Sequence, residues 1–142
     1  MKAKNIAYWI TTGLVGAAFA SGGVMDLSGS AELMAGMAHL GYPAYFAKIL
    51  GTWKLLGALA VLAPGLPRLK EWAYAGIVFN LTGAAISHLA SGDGVGKVAA
   101  PLVLTGLAFA SWALRPPTRV LGALPLGAAQ AEAPVGDRAA AS

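Results

Sequence analysis

The sequence predicts an all-α fold: a four-helix transmembrane bundle with a short interfacial helix between the first and second spans. Composition, apolar windows and the breaks between them carry this expectation. Of 142 residues, 57% are hydrophobic and only 11% are charged, against about 25% charged in soluble domains. A soluble core cannot use that much apolar surface, whereas a bilayer can. A span needs about 20 mostly apolar residues, and four windows qualify. Each must satisfy its own backbone hydrogen bonds in lipid, so each is read as helix.

The first span, Ile6–Met25, carries no charge before Asp26. The second, Ala44–Ala63, contains Lys48 and Lys54. The third, Trp72–Ala90, and the fourth, Val98–Leu114, are uncharged, counting His88 as neutral. Pro64, Gly65 and Pro67 break the chain after the second span, Ser91 to Gly94 after the third, and Pro116 with Pro117 after the fourth. Trp9, Tyr45, Trp72 and Trp112 fall near predicted ends, where amphipathic rings prefer the headgroup level, while Trp53 lies deeper. Lys2 and Lys4, an apolar stretch and Ala18-Phe19-Ala20 also fit a cleavable signal peptide. The apolar run continues past that point to Met25, so a retained helix is expected.

Lys2, Lys4, Arg68, Lys70, Arg115 and Arg119 share one side of a four-span protein, and the positive-inside rule places both termini in the cytoplasm. The opposite side has Asp26, Glu32 and Asp93 with Lys97. The formal charge of +4 thus marks membrane flanks and not a nucleic-acid footprint. Between the first two spans, Ser30 is placed to cap a helix, Glu32 suits its N-terminal turn, and Gly41 and Pro43 end it. Leu33, Met37 and Leu40 give it one apolar stripe, as a lid over the bundle end would have. Residues 1–120 are read as the membrane domain. Residues 121–142, rich in Ala, Pro and Gly, are read as a disordered cytoplasmic tail.

Charges at span depth are costly and mark paired or functional sites. Lys54 shares a helical face with Ala47, Gly51 and Ala58, so it is expected to point into the bundle. Lys48, one turn from the outer end, is expected to snorkel to the surface. In the antiparallel third span, Gly76, Asn80, Gly83 and Ser87 repeat the same spacing, which sets Asn80 at the depth of Lys54. An asparagine carbonyl accepts from an ammonium without neutralising it. The missing anion is then Asp26, Glu71 or a bound ligand; with none of these, burial would favour the neutral amine. His88 with Asp93 forms a pair suited to proton relay or to ordering the loop. Gly13/Ala17, Gly83/Ser87 and Gly106/Ala110 are small-residue pairs suited to helix packing.

The sequence has no cysteine, which excludes disulfides and thiolate chemistry, and its two histidines, His39 and His88, have no metal- or haem-binding spacing. No P-loop, GxGxxG, GxSxG or HExxH is present. The ligand-binding candidates are therefore Lys54, Asn80, His88, Glu71, Asp93 and Asp26, with no metal expected.

Residues Leu50 to Gly57 resemble the second-helix signature of the DoxX-like membrane proteins, Lys70 to Gly76 their third-helix entry, and Ser87-His88 with Gly92-Asp93 its exit. The resemblance spans roughly residues 6–114. It implies a compact four-helix membrane bundle and singles out Lys54, Glu71, His88 and Asp93. It also implies an association with redox assemblies, since the family takes its name from a subunit linked to a thiosulfate:quinone oxidoreductase, while other relatives act as membrane chaperones. The expected partners are the lipid bilayer and other membrane subunits, with no nucleic acid. The first expectation is an accessory subunit of a redox-linked membrane assembly. The alternatives are a quinone-linked oxidoreductase subunit with quinone as cofactor, and a small-solute transporter.

Overall fold

The structure, a computed structural model, describes residues 1–122. The helices are α1 (Lys2–Ser28), α2 (Ala31–His39), α3 (Ala44–Leu62), α4 (Pro67–Ala90) and α5 (Val95–Ala113), followed by a 3₁₀ turn at Pro117–Arg119. Among the described residues there is no strand, and α1, α3, α4 and α5 are each long and apolar enough to cross a membrane. The expected four-helix bundle is thus the observed one. The expected tail lies outside the described residues, apart from its first two.

Local chemistry sets the ends. Gly29 closes α1 in the left-handed region (φ 64°), which costs a glycine little. Ser30 Oγ accepts from the Leu33 N–H at 3.3 Å and starts α2 as expected. The third span begins five residues before its apolar window. Pro67 starts α4, where a missing N–H costs nothing, and the charged first turns then escape a hydropathy window.

The bundle is unevenly packed. The α1 helix packs most extensively on α3, and α4 on α5, whereas α3 and α4 meet less extensively. Val15, Phe19, Ala58, Val61, Tyr74, Ile77, Leu81 and Ala108 form the core. Trp53, Phe79, Ile86 and Val103 point outward, as lipid-facing side chains do. Thr12, Tyr74 and Ser111 join three helices inside the bundle: Ser111 Oγ lies 2.6 Å from Thr12 Oγ1 and 2.7 Å from Tyr74 Oη.

At the α1–α3 crossing the backbones themselves touch. A Cβ on Gly51 would lie 2.8 Å from the Gly23 carbonyl oxygen, and one on Gly23 would lie 2.9 Å from that of Gly51. The small-residue pairs singled out in the sequence do not make this contact, since a Cβ on Gly13, Gly83 or Gly106 meets nothing within 4 Å. Close approach depends on which face a neighbouring helix covers, and spacing alone does not choose it. Gly51→Val is expected to destabilise the protein by about 3 kcal/mol, because the added atoms meet backbone that cannot move aside. Gly57→Ala, whose Cβ would make an ordinary 3.9 Å contact with Ile77, is expected to be neutral or slightly stabilising. Thermal unfolding of both variants in detergent checks the pair.

The end that carries the start of α1 and the end of α5 is held by cations. Lys70 is fully buried. Its Nζ donates to the Ala60 carbonyl at 2.7 Å, to that of Val61 at 3.1 Å, and to that of Ala63. Arg115 pairs with Glu71 at 2.7 Å and lies over the Tyr74 ring at 5.2 Å. Arg119 lies over Trp9 at 4.7 Å and donates to Tyr8 Oη at 3.2 Å. Residues counted in the sequence as membrane flanks therefore also bind the helix ends together.

Candidate functional site

The opposite end is roofed by α2 and contains the deepest paired charges. Lys54 sits mid-way along α3 on the face with Ala47, Gly51 and Ala58, all three buried. Asp26 lies near the end of α1 and is 6% exposed. The glycine contact draws the two helices together, and Lys54 Nζ meets Asp26 Oδ2 at 2.7 Å. The ammonium and the carboxylate form a charge pair inside the bundle.

The pair borders open space on two sides. A cavity of about 520 Å³ lies beneath α2, with Met37, Tyr42, Asp26 and His88 among its walls. A second, of about 340 Å³, lies between α3 and α4 and is walled mainly by apolar groups, among them Phe19, Trp53, Trp72 and Ile77. Leu50, Lys54 and Asn80 line both. Gly76 and Asn80 face the second cavity, and Asn80, Gly83 and Ser87 face the first. The small-residue face of α4 thus lines a cleft and leaves it open, because α3 and α4 do not close on each other there.

The roof is tied down by side chains. Tyr42 Oη lies 2.7 Å from Ser87 Oγ. Asp93, just beyond α4, takes His88 Nδ1 at 2.7 Å, His39 Nε2 at 3.0 Å and Lys97 Nζ at 3.3 Å. Its carboxyl is held at about 2, below its usual 3.8, first by the His88 hydrogen bond and then by those from His39 and Lys97, against the opposing effect of burial. A lowered folded-state value stabilises the protein above the ordinary value, and that contribution is lost as pH falls through the folded one. The Asp93 contribution to the His39–Asp93 tie of α2 is therefore expected to be fully present above 3.8 and to be lost as pH falls from there through about 2. Amide exchange of α2, corrected for intrinsic rates, checks this. Asp93→Asn should raise α2 exchange at neutral pH, and loosening of the wild-type protein well above 3.8 would contradict it.

Of the residues singled out in the sequence, Asp26, Lys54, Asn80 and His88 line one cavity, and Asp93 adjoins it through His88. Glu71 does not join them. It lies in the first turns of α4 at the other end, bound by Arg115 and by the Trp112 indole N–H at 2.8 Å. His39 and Tyr42 were missed as contributors. Each stands on or beside α2, and nothing in local spacing says what that segment covers. Lys48, expected to snorkel, is exposed and donates to the Leu27 carbonyl at 2.7 Å, satisfying the end of α1. Among the described residues, no group of three or more His, Cys, Asp or Glu side chains could hold a metal ion.

A roofed, four-span bundle with a charge pair buried beside an apolar cleft defines a small integral membrane protein. The chain belongs to the DoxX-like family, whose model matches residues 10–111. No curated protein and no solved structure matches it significantly.

Proposed function

We propose that this protein is an accessory subunit of a redox-linked membrane assembly, and that its own part is to hold a lipid-soluble ligand in the cleft between α3 and α4. The observation that carries this is that Leu50, Lys54 and Asn80 line both cavities. An apolar slot with Lys54 and Asn80 in its wall suits a molecule with an apolar tail and a polar head. The outward apolar faces serve equally against lipid and against a neighbouring subunit. We assign it to a bacterial cell membrane, and the positive-inside pattern supports both termini in the cytoplasm.

A quinone-linked subunit is the second reading. His88, which lines the roofed cavity and touches Asp93, favours it, being a group able to pass protons near the head of such a ligand. Transport of anions draws less support, because Asp26 neutralises the lysine that would attract them.

Native mass spectrometry of the tagged protein, extracted gently from its own membranes, tests both. A reproducible protein partner is the expected result, and that partner's chemistry names the process. A lone bundle carrying stoichiometric quinone would favour the second reading. A lone bundle with neither partner nor ligand would overturn the proposal.

A further inference from the structure

Asn80 differs from the other polar side chains at span depth. The serine and threonine hydroxyls of the four spans each have a partner. Thr12 and Ser111 hold one another, and the rest donate to a carbonyl three or four residues back in their own helix. Lys54 has Asp26. Asn80, in the middle of α4, makes no side-chain hydrogen bond among the described residues, and it lines both cavities. Asparagine is also a weak helix former, so helix formation does not account for it there. An amide without partners is costly where water is scarce, which marks it as a group kept for a ligand. We infer that Asn80 reads the ligand's head, and that this head is a carbonyl, an acceptor with no donor of its own; the inference rests on the cleft being a ligand site, as proposed above.

The wall of the slot between α3 and α4 decides the chemistry of the head. Among the described residues its polar side chains are Trp53, Lys54, Trp72 and Asn80. Tryptophan and lysine donate and accept nothing. Asn80 adds two donors and, through Oδ1, the side-chain acceptor of this wall. Lys54 is engaged with Asp26, but an ammonium carries three N–H groups, so donors remain in excess. A carbonyl oxygen takes two donors and asks for no acceptor. A hydroxyl brings a donor that has only Asn80 Oδ1 to receive it. The slot runs about 9 Å along α3 from Lys54 to Ala60 and about 12 Å along α4 from Asn80 to Trp72. The two helices are antiparallel, so both stretches lead away from the polar pair toward the same end of the bundle, and an alkyl tail follows them.

The test uses the full chain in nanodiscs of ether-linked phosphatidylcholine, a lipid with no carbonyl to compete. Three probes share one tail: methyl hexadecanoate, hexadecanol and hexadecane. Binding is read as stabilisation against thermal unfolding over a series of mole fractions in the lipid. The ester is expected to reach half of its full effect at about one-tenth the mole fraction that hexadecane needs, with the alcohol between them. The ester carbonyl stretch should move to lower wavenumber in the presence of the protein. Asn80→Leu should remove most of the ester's advantage without lowering the unfolding temperature of the ligand-free protein, because no partner within the protein is lost. Asn80→Ala, which leaves the slot open, should do the same and shows that leucine has not merely filled the site. An ester no better than hexadecane, an alcohol that binds ahead of the ester, an advantage that survives both variants, or ligand-free variants that unfold early would each overturn the inference and leave the cleft standing as a site. Stabilisation by none of the three probes would remove the cleft reading and the inference together.

Discussion

Lys70→Met is expected to destabilise the protein by about 3 kcal/mol, although the methionine has nearly the same shape and no charge to bury. The cause lies in how α3 ends. The Ala60 carbonyl would normally accept from the N–H four residues on, but that residue is Pro64, which has none. The Val61 carbonyl faces the same loss, because residue 65 already lies outside the helix. Lys70 donates to both, and to Ala63, at the negative end of the α3 dipole. Arg119 also reaches the Ala63 carbonyl at 3.3 Å, so that acceptor keeps a donor in the variant. Two buried carbonyls are left bare, at about 1–3 kcal/mol each. Thermal or denaturant unfolding in micelles measures the loss. A variant as stable as the wild type would mean that water satisfies these groups and that Lys70 serves only as a flank charge.

Asp26→Asn and Lys54→Met should each lower stability by about 3 kcal/mol, while the double variant recovers most of the loss. Removing one partner strands a charge among apolar helices; removing both takes away the charge and the need for it together. The double-mutant cycle isolates the interaction between the two residues. The outcome also bears on function. If the double variant is as stable as the wild type but loses ligand, the pair is retained for binding and not for folding. If the single losses simply add, the two groups do not interact in the membrane and the 2.7 Å contact is not their working state.

Much of this was legible in one dimension. Apolar windows located four spans because lipid demands that each segment satisfy its own backbone. Ser30 and Gly41 marked α2 because capping and left-handed turns depend on the residue at that position. Helical spacing placed Lys54 on an inward face, and antiparallel neighbours set Asn80 at its depth. Lys70 shows where this ends: it sat where a cytoplasmic flank charge belongs, yet it is buried among carbonyls. Leu66 and Gly65, both in the left-handed region, fold the chain back so that the first turns of α4 meet the end of α3. Glu71 shows the same limit. From the sequence it was one of two carboxylates able to serve Lys54, and the fold gives it to Arg115 instead.

The sequence by itself determined that the chain spans a membrane four times, where each span breaks, and which polar groups lie at span depth, because these follow from local transfer and backbone costs. Only the tertiary structure decided that Asp26 is the partner of Lys54, that His39 ties the roof to Asp93, and that α3 and α4 part to leave a cleft. Those outcomes depend on which helix faces meet, and that is set by contacts such as Gly23 on Gly51 between residues far apart in the chain.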